Sequence, residues 1–294
     1  MASADQAVPR REGAHMNMTV GVIGLGAMGR PMAEHLVDAG FPTTVLDADE
    51  ETQAHVVARG ATGARSPREI GDNDVILVIV PTDDDVRSVC YGEDGLLASP
   101  KNGAVIVINA SVTLELCEEI AEAAAKVGVS VLDAALTGGV RGADNGEINL
   151  LVGGDEKVLD SIRPVLEPWT KAVHHLGPLG SGQVGKTVNN LCHWIQISGI
   201  HEALLLGRRL GVAPSKLREA LYDSPVNSRT LQEIQEMRFT WWKKDIDNAR
   251  KMAAPIGYEM PMTEQAYRQM ASITPGRIST LLISDQDPDE EVRE

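Results

Sequence analysis

Val20-Gly21-Val22-Ile23-Gly24-Leu25-Gly26-Ala27-Met28-Gly29 decides the fold. An apolar run, Val20 to Ile23, leads directly into Gly24-x-Gly26-x-x-Gly29. Helix-like apolar spacing follows at Met32, Leu36 and Val37. Strand, glycines, helix is the context in which this spacing cradles a dinucleotide. Gly24 permits the tight turn, Gly26 lets the backbone approach a pyrophosphate, and Gly29 allows close packing of helix on strand. The helix N-terminus adds N–H donors and the positive end of its dipole. Gly24, Leu25, Gly26, Ala27, Met28 and Gly29 are therefore the first cofactor-binding candidates.

Outward from this turn, Thr43 to Leu46 reads as a second strand, ending at Asp47. Asp47 lies about twenty residues beyond the glycines, where a carboxylate accepts hydrogen bonds from ribose hydroxyls. Ala48, Asp49 and Glu50 follow, with no arginine among them. A 2′-phosphate there would face three acidic groups, so the expected cofactor is NAD rather than NADP. The runs Asp74 to Val80, Ala104 to Ile108, Val129 to Leu132 and Ile148 to Val152 alternate with helical segments. Continuous apolar runs belong to strands buried on both faces. The predicted fold class is α/β, a doubly wound parallel sheet of Rossmann type. Ligands bind beyond the carboxyl ends of such strands. Pro81-Thr82-Asp83, Ser111-Val112 and Thr137-Gly138-Gly139 all fall there, with Asp83 read as a helix cap and Asp133 as the end of its strand.

The texture changes at Gly177-Pro178-Leu179-Gly180-Ser181-Gly182. Gln183 to Leu210 reads as one helix of about 40 Å. Further helices are expected at 214–221, 229–237, 246–254 and 262–270. The predicted organisation is a disordered arm or tag (1–17), a dinucleotide-binding domain (18–180), an all-helical domain built on the long helix (181–283) and an acidic tail (284–294).

Composition narrows the function. The 294 residues are 43% hydrophobic but only 3% aromatic, so the cores must be aliphatic. The net charge of −15 argues against a nucleic-acid partner. No apolar run reaches the roughly 18 residues of a membrane span. The first 17 residues lack the apolar segment of a signal peptide. Cys90, Cys117 and Cys192 have neither zinc nor disulfide spacing, which points to a reducing cytoplasm and no metal site.

Within the long helix, Lys186 and Asn190 stand at i and i+4 and share a face, which His193, Trp194 and Ile197 continue. Lys186 sits early in the helix, where the positive dipole end disfavours an ammonium. A positively charged nicotinamide nearby disfavours it further. Both effects favour a neutral amine, and a lysine so tuned can act as general base in alcohol oxidation and, protonated, as general acid in reverse; a lone helical lysine is, on the residues alone, more often a solvated one.

Four blocks resemble the β-hydroxyacid dehydrogenase family, which includes 3-hydroxyisobutyrate dehydrogenases and tartronate semialdehyde reductases. They are Gly24 to Ala33, Asp133 to Ala143, Gly182 to Asn190, and Lys244 to Ala249, in the family's order and spanning nearly the whole chain. The resemblance implies that Lys186 is catalytic and that Asn190 contacts substrate. It implies that Thr137, Gly138 and Gly139 hold a substrate carboxylate, a hydroxyl and two backbone N–H groups forming an anion cradle. Val80, Pro81, Asp85, Ser111, Val112 and Lys244 are implied to line the cofactor, Lys244 closing over it from the helical domain. The implied partner is a small carboxylate substrate, and the implied assembly a homodimer or homotetramer through the helical domain.

Five departures from the family pattern matter. Ala135 stands where proline is usual, Thr137 where serine is usual, and Val112 where threonine is common. His193 and Trp194 are bulky at positions that are usually small, and are carried as substrate-binding candidates that would reshape the pocket. The expected activity is NAD-dependent oxidation of a 3-hydroxyacid, or reduction of the matching semialdehyde. An imine reductase shares the architecture, but its lysine position usually differs. A non-catalytic cofactor-binding module would carry basic segments, which this chain lacks.

Overall fold

The structure, a computed structural model, describes residues 18–283. The expectations for 1–17 and 284–294 lie outside the described residues. The chain divides into two units, the first ending at Lys186 and the second beginning at Thr187.

The first unit alternates strand and helix: β1 (Val20–Ile23), α1 (Gly29–Asp38), β2 (Thr43–Leu46), α2 (Glu50–Ala58), β3 (Thr62–Gly63), α3 (Pro67–Ile70), β4 (Val75–Val78), α4 (Asp83–Cys90), β5 (Val105–Ile108) and α5 (Leu114–Ala125). It continues through β6 (Ser130–Thr137), α6 (Gly139–Asp144), β7 (Ile148–Gly153), α7 (Glu156–Leu166) and β8 (Thr170–Gly177). Among the described residues these form one eight-stranded sheet, ordered β3-β2-β1-β4-β5-β6-β7-β8. Strand order reverses between β1 and β4, the topological switch point where ligands of such sheets bind. β1, β4 and β5 are buried along their whole length, as their unbroken apolar runs require.

Three features depart from the sequence reading. β7 runs antiparallel to β6, so the sheet is mixed rather than purely parallel. β6 does not end at Asp133: that residue pairs with Ile108, the last of β5, and the strand continues to Thr137. A carboxylate inside an apolar strand looks like a strand end, because its compensation comes from a distant segment. Finally, β8 lies where the sequence suggests no strand, because its exposure varies residue by residue and no apolar run forms.

The second unit is all-helical. α8 (Ser181–Arg209) begins in the first unit and continues into the second, about 43 Å at 1.5 Å per residue. It is followed by α9 (Pro214–Leu221), α10 (Arg229–Glu233), α11 (Trp242–Ala253), α12 (Pro261–Met270) and α13 (Pro275–Ile283). α13 was not anticipated; its proline occupies the first helical position, where no N–H is needed. Trp194, Ile197, Trp242, Ile246, Met270 and Leu281 belong to the core of this unit. Among the described residues no helix is long and apolar enough to cross a membrane.

Candidate active site

The three glycines after β1 do different work. A Cβ on Gly24, which has φ +91°, would collide with the carbonyl of Ile79, and one on Gly29 with the carbonyl of Gly24. Both are required by packing within the protein. A Cβ on Gly26 would meet nothing within 4 Å. Packing within the protein does not require its lack of a side chain, which leaves this backbone open to close approach by a phosphate-bearing ligand. No side chain caps α1, so its N-terminus presents only backbone donors and the dipole. Leu25 buries its side chain in the sheet core and leaves only its backbone to the turn; Ala27 is exposed and Met28 half-buried.

Asp47, at the end of β2, reaches across to this turn. One carboxylate oxygen accepts the N–H of Leu25 and the other accepts the N–H of Asp49 at 2.8 Å. Asp49, not Asp47, caps α2. The glycine turn and the acidic residue are therefore tied together by hydrogen bonds.

Beyond β4, Val80 is half-buried and Pro81 exposed. The cap of α4 is Thr82 rather than Asp83: its hydroxyl accepts the N–H of Asp85, and the Asp85 carboxylate accepts both the N–H and hydroxyl of Thr82. Asp85 is thereby occupied in a capping box. Asp83 instead accepts the Thr113 hydroxyl at 2.6 Å, joining the start of α4 to the start of α5. Ser111 and Val112 follow β5; Val112 is buried.

Lys186 Nζ donates to the carbonyl of Leu136 at 2.8 Å. That carbonyl immediately precedes Thr137-Gly138-Gly139, so the lysine and the glycine turn stand together at the end of β6. Gly138 and Gly139 adopt φ of +119° and +67°, which a residue with a Cβ rarely takes. The Thr137 hydroxyl donates to the carbonyl of Asn149 at 3.0 Å across the β6–β7 pair. A hydroxyl has one proton to donate, so that of Thr137 is committed to the protein.

Two residues were not singled out from sequence. Asp133 is fully buried, and its carboxylate accepts the N–H groups of Gly180 at 2.6 Å and Gln183 at 2.8 Å. Burial pushes its carboxyl above the usual range, against these hydrogen bonds, which lower it. Gln183 is also buried. Its Oε1 accepts the N–H of Val112 at 3.2 Å and its Nε2 donates to the carbonyl of Ala110 at 2.9 Å. The available signal was a polar residue inside each of two otherwise apolar or small-residue segments.

Asn190, His193, Trp194 and Lys244 belong to the helical unit. Asn190, one turn beyond Lys186, is half-buried and accepts from Asn189 Nδ2 at 3.0 Å. His193 Nδ1 lies 3.0 Å from the Thr230 hydroxyl. Trp194 is 4% exposed, and its indole N–H donates to Asp245 at 2.9 Å. Its ring is committed to the core of this unit, which gives its bulk a packing role. Lys244 is exposed in the first turn of α11, with Nζ 5.9 Å from the Trp241 ring centroid. The paired tryptophans separate: Trp242 is in the core and Trp241 is 63% exposed.

A glycine turn at the switch point of a doubly wound sheet, followed by an all-helical unit, defines a dinucleotide-binding oxidoreductase. Residues 19–177 match the NAD-binding domain of 6-phosphogluconate dehydrogenase. Residues 180–278 match the NAD-binding domain of NADP-dependent 3-hydroxyisobutyrate dehydrogenase. A 3-hydroxyisobutyrate dehydrogenase of Pseudomonas aeruginosa is 36% identical over 206 residues, 70% of this chain and 69% of that protein. A 2-(hydroxymethyl)glutarate dehydrogenase of Eubacterium barkeri is 34% identical over 221 residues, 75% of this chain and 73% of that protein. The structure of Mycobacterium tuberculosis 3-hydroxyisobutyrate dehydrogenase with L-serine superimposes with a TM-score of 0.80 at 26% identity, covering 95% of this chain and 100% of that one. The chain belongs to the 3-hydroxyisobutyrate dehydrogenase, or β-hydroxyacid dehydrogenase, family.

Proposed function

We propose that this protein is an NAD-dependent 3-hydroxyacid dehydrogenase with Lys186 as general acid and base. The observation that carries the reading is the placement of Lys186 Nζ on the Leu136 carbonyl, one residue before the glycine turn. Nicotinamide dinucleotide, when bound, supplies the acceptor or donor of hydride at its nicotinamide ring. Gly24 to Gly29 and Asp47 hold it, Asp47 accepting from the ribose hydroxyls and disfavouring a 2′-phosphate. Val80, Pro81, Ser111, Val112 and Lys244 are assigned to the same ligand. The Gly138 and Gly139 N–H groups take the substrate carboxylate, and Asn190 and His193 contact the rest of the acid. Lys186 accepts the hydroxyl proton as the carbinol carbon gives up its hydride, and returns it in the reductive direction.

The working form is a cytoplasmic homodimer or homotetramer; the free state of all three cysteines is in keeping with a reducing compartment. The exposed face of α8 supports the assembly, as argued below. The test is steady-state kinetics with NAD and NADP over 3-hydroxyacids of increasing size, for the wild type and Lys186→Ala. Oxidation on some acid with NAD, lost in Lys186→Ala, is the expected result. Silence on every acid together with reduction of cyclic imines overturns the reading.

A further inference from the structure

We propose that Gln183 is a positioning residue, holding the segment after β5 for the cofactor and fixing it against the helical turn that carries Lys186. The inference rests on the cofactor half of the reading above, that residues 111–112 line the dinucleotide.

The backbone beyond β5 leaves the sheet at Ile108. From there the N–H of Val112 and the carbonyl of Ala110 need partners, since both residues are buried. The Gln183 amide supplies both, accepting from one at 3.2 Å and donating to the other at 2.9 Å. A primary amide offers an acceptor and a donor together whatever the pH. Gln183 is itself held at its backbone, where its N–H donates to Asp133 Oδ2 at 2.8 Å. Asp133 stands level with the end of β5, and three residues further along the same strand is Leu136, which accepts from Lys186. Gln183 and Lys186 are three residues apart on α8 and so lie on neighbouring positions of one helical face. Gly182 fits only because it has no Cβ: one added there would come within 2.7 Å of the Asp133 carboxylate. The end of β5, β6 and the first turn of α8 are thus one assembly, with the Gln183 amide as its link to residues 110–112.

The test compares wild type, Gln183→Met and Gln183→Glu. Methionine keeps the length and loses both hydrogen bonds. A carboxyl donates to the Ala110 carbonyl only when protonated, with Asp133 as its acidic neighbour. NAD binding is titrated directly without substrate, and amide exchange of Val112 is followed in the cofactor-free protein. We expect Gln183→Met to bind NAD about tenfold more weakly, the scale of one to two lost neutral hydrogen bonds. Its Val112 amide should exchange faster by a similar factor, while circular dichroism shows the native fold. Gln183→Glu should bind NAD progressively more weakly as pH rises, a dependence absent from Gln183→Met. NAD affinity within twofold of wild type in Gln183→Met, with no pH step in Gln183→Glu, overturns the proposal even if both variants melt earlier. The substrate reading fails separately: it falls if no hydroxyacid is oxidised, and these titrations contain none.

Discussion

The amino group of Lys186 lies 2.8 Å from the carbonyl oxygen of Leu136, so a residue of α8 is anchored at the tip of β6. In the proposed mechanism this pairing sets where proton transfer takes place relative to the Gly138–Gly139 turn. Replacing Lys186 by alanine or methionine should lower kcat by about a hundredfold or more, the usual scale for a lost general base. NAD binding should be retained, since the lysine is not part of the cradle. Steady-state kinetics with a parallel binding titration checks this; an unchanged kcat removes Lys186 from the chemistry.

Asp47 has two roles in the proposed complex: its carboxylate accepts the Leu25 N–H, and it is the proposed acceptor for the ribose hydroxyls. Asp47→Asn keeps an acceptor for Leu25 and removes the charge, whereas Asp47→Ala removes both. The ratio of kcat/KM for NAD over NADP should fall in both variants, by about tenfold or more, as expected for hydrogen bonds to a charged group. Only Asp47→Ala should also weaken both cofactors together, because the glycine turn then loses its tether. A wild-type preference for NADP sinks the assignment.

Much of this was legible in the sequence for a local reason. The glycine turn, the buried strands and the long helix are encoded in residues close to one another in the chain. The residues that were misread are those whose partners are remote. Asp133 looks like a strand end until Gly180 and Gln183 supply its N–H donors from some fifty residues away. Trp194 looked available to a pocket because helical periodicity gives a face, but not which neighbour covers it; Asp245 and the core of the helical unit do. Thr82 and Asp83 are adjacent acceptors, and only the backbone angles decide which of them caps α4.

α8 carries an exposed face at Val188, Cys192, Gly199, Ala203 and Leu206, continued past the helix end by Leu210. Successive spacings of three, four and seven residues keep these positions on one side of the helix. Val188, Leu206 and Leu210 are 55%, 60% and 74% exposed. This stripe is the proposed interface of the homo-oligomer, and small residues in its middle leave room for close approach of another helix. Leu206→Glu combined with Leu210→Glu should convert the assembly to monomer, measured by light scattering with size exclusion. A wild type that is already monomeric at high concentration defeats the prediction.

His201 gives the helical unit an acid sensitivity whose sign can be worked out. It is 8% exposed, and its Nε2 is buried without a hydrogen-bond partner. Burial, followed by the positive charge of Arg277, pushes its pKa below the ordinary value of 6.5; the Glu202 charge opposes this more weakly. The folded state therefore favours neutral imidazole. As pH falls below about 6.5 the unfolded chain takes up a proton that the folded chain refuses, so stability declines until the lowered pKa is reached. Above that range the contribution is constant. The slope is at most about 1.4 kcal/mol per pH unit, the value for one proton. His201→Leu removes the titrating group and an unpartnered buried nitrogen, so its stability curve should be flatter between about pH 5 and about pH 7. Urea unfolding followed by tryptophan fluorescence in a Trp169→Phe background reads this unit selectively, since the other three tryptophans, Trp194, Trp241 and Trp242, all belong to it. The wild-type and variant curves should converge toward neutral pH in slope and separate in acid. Parallel curves throughout would show that His201 titrates alike in the folded and unfolded chain.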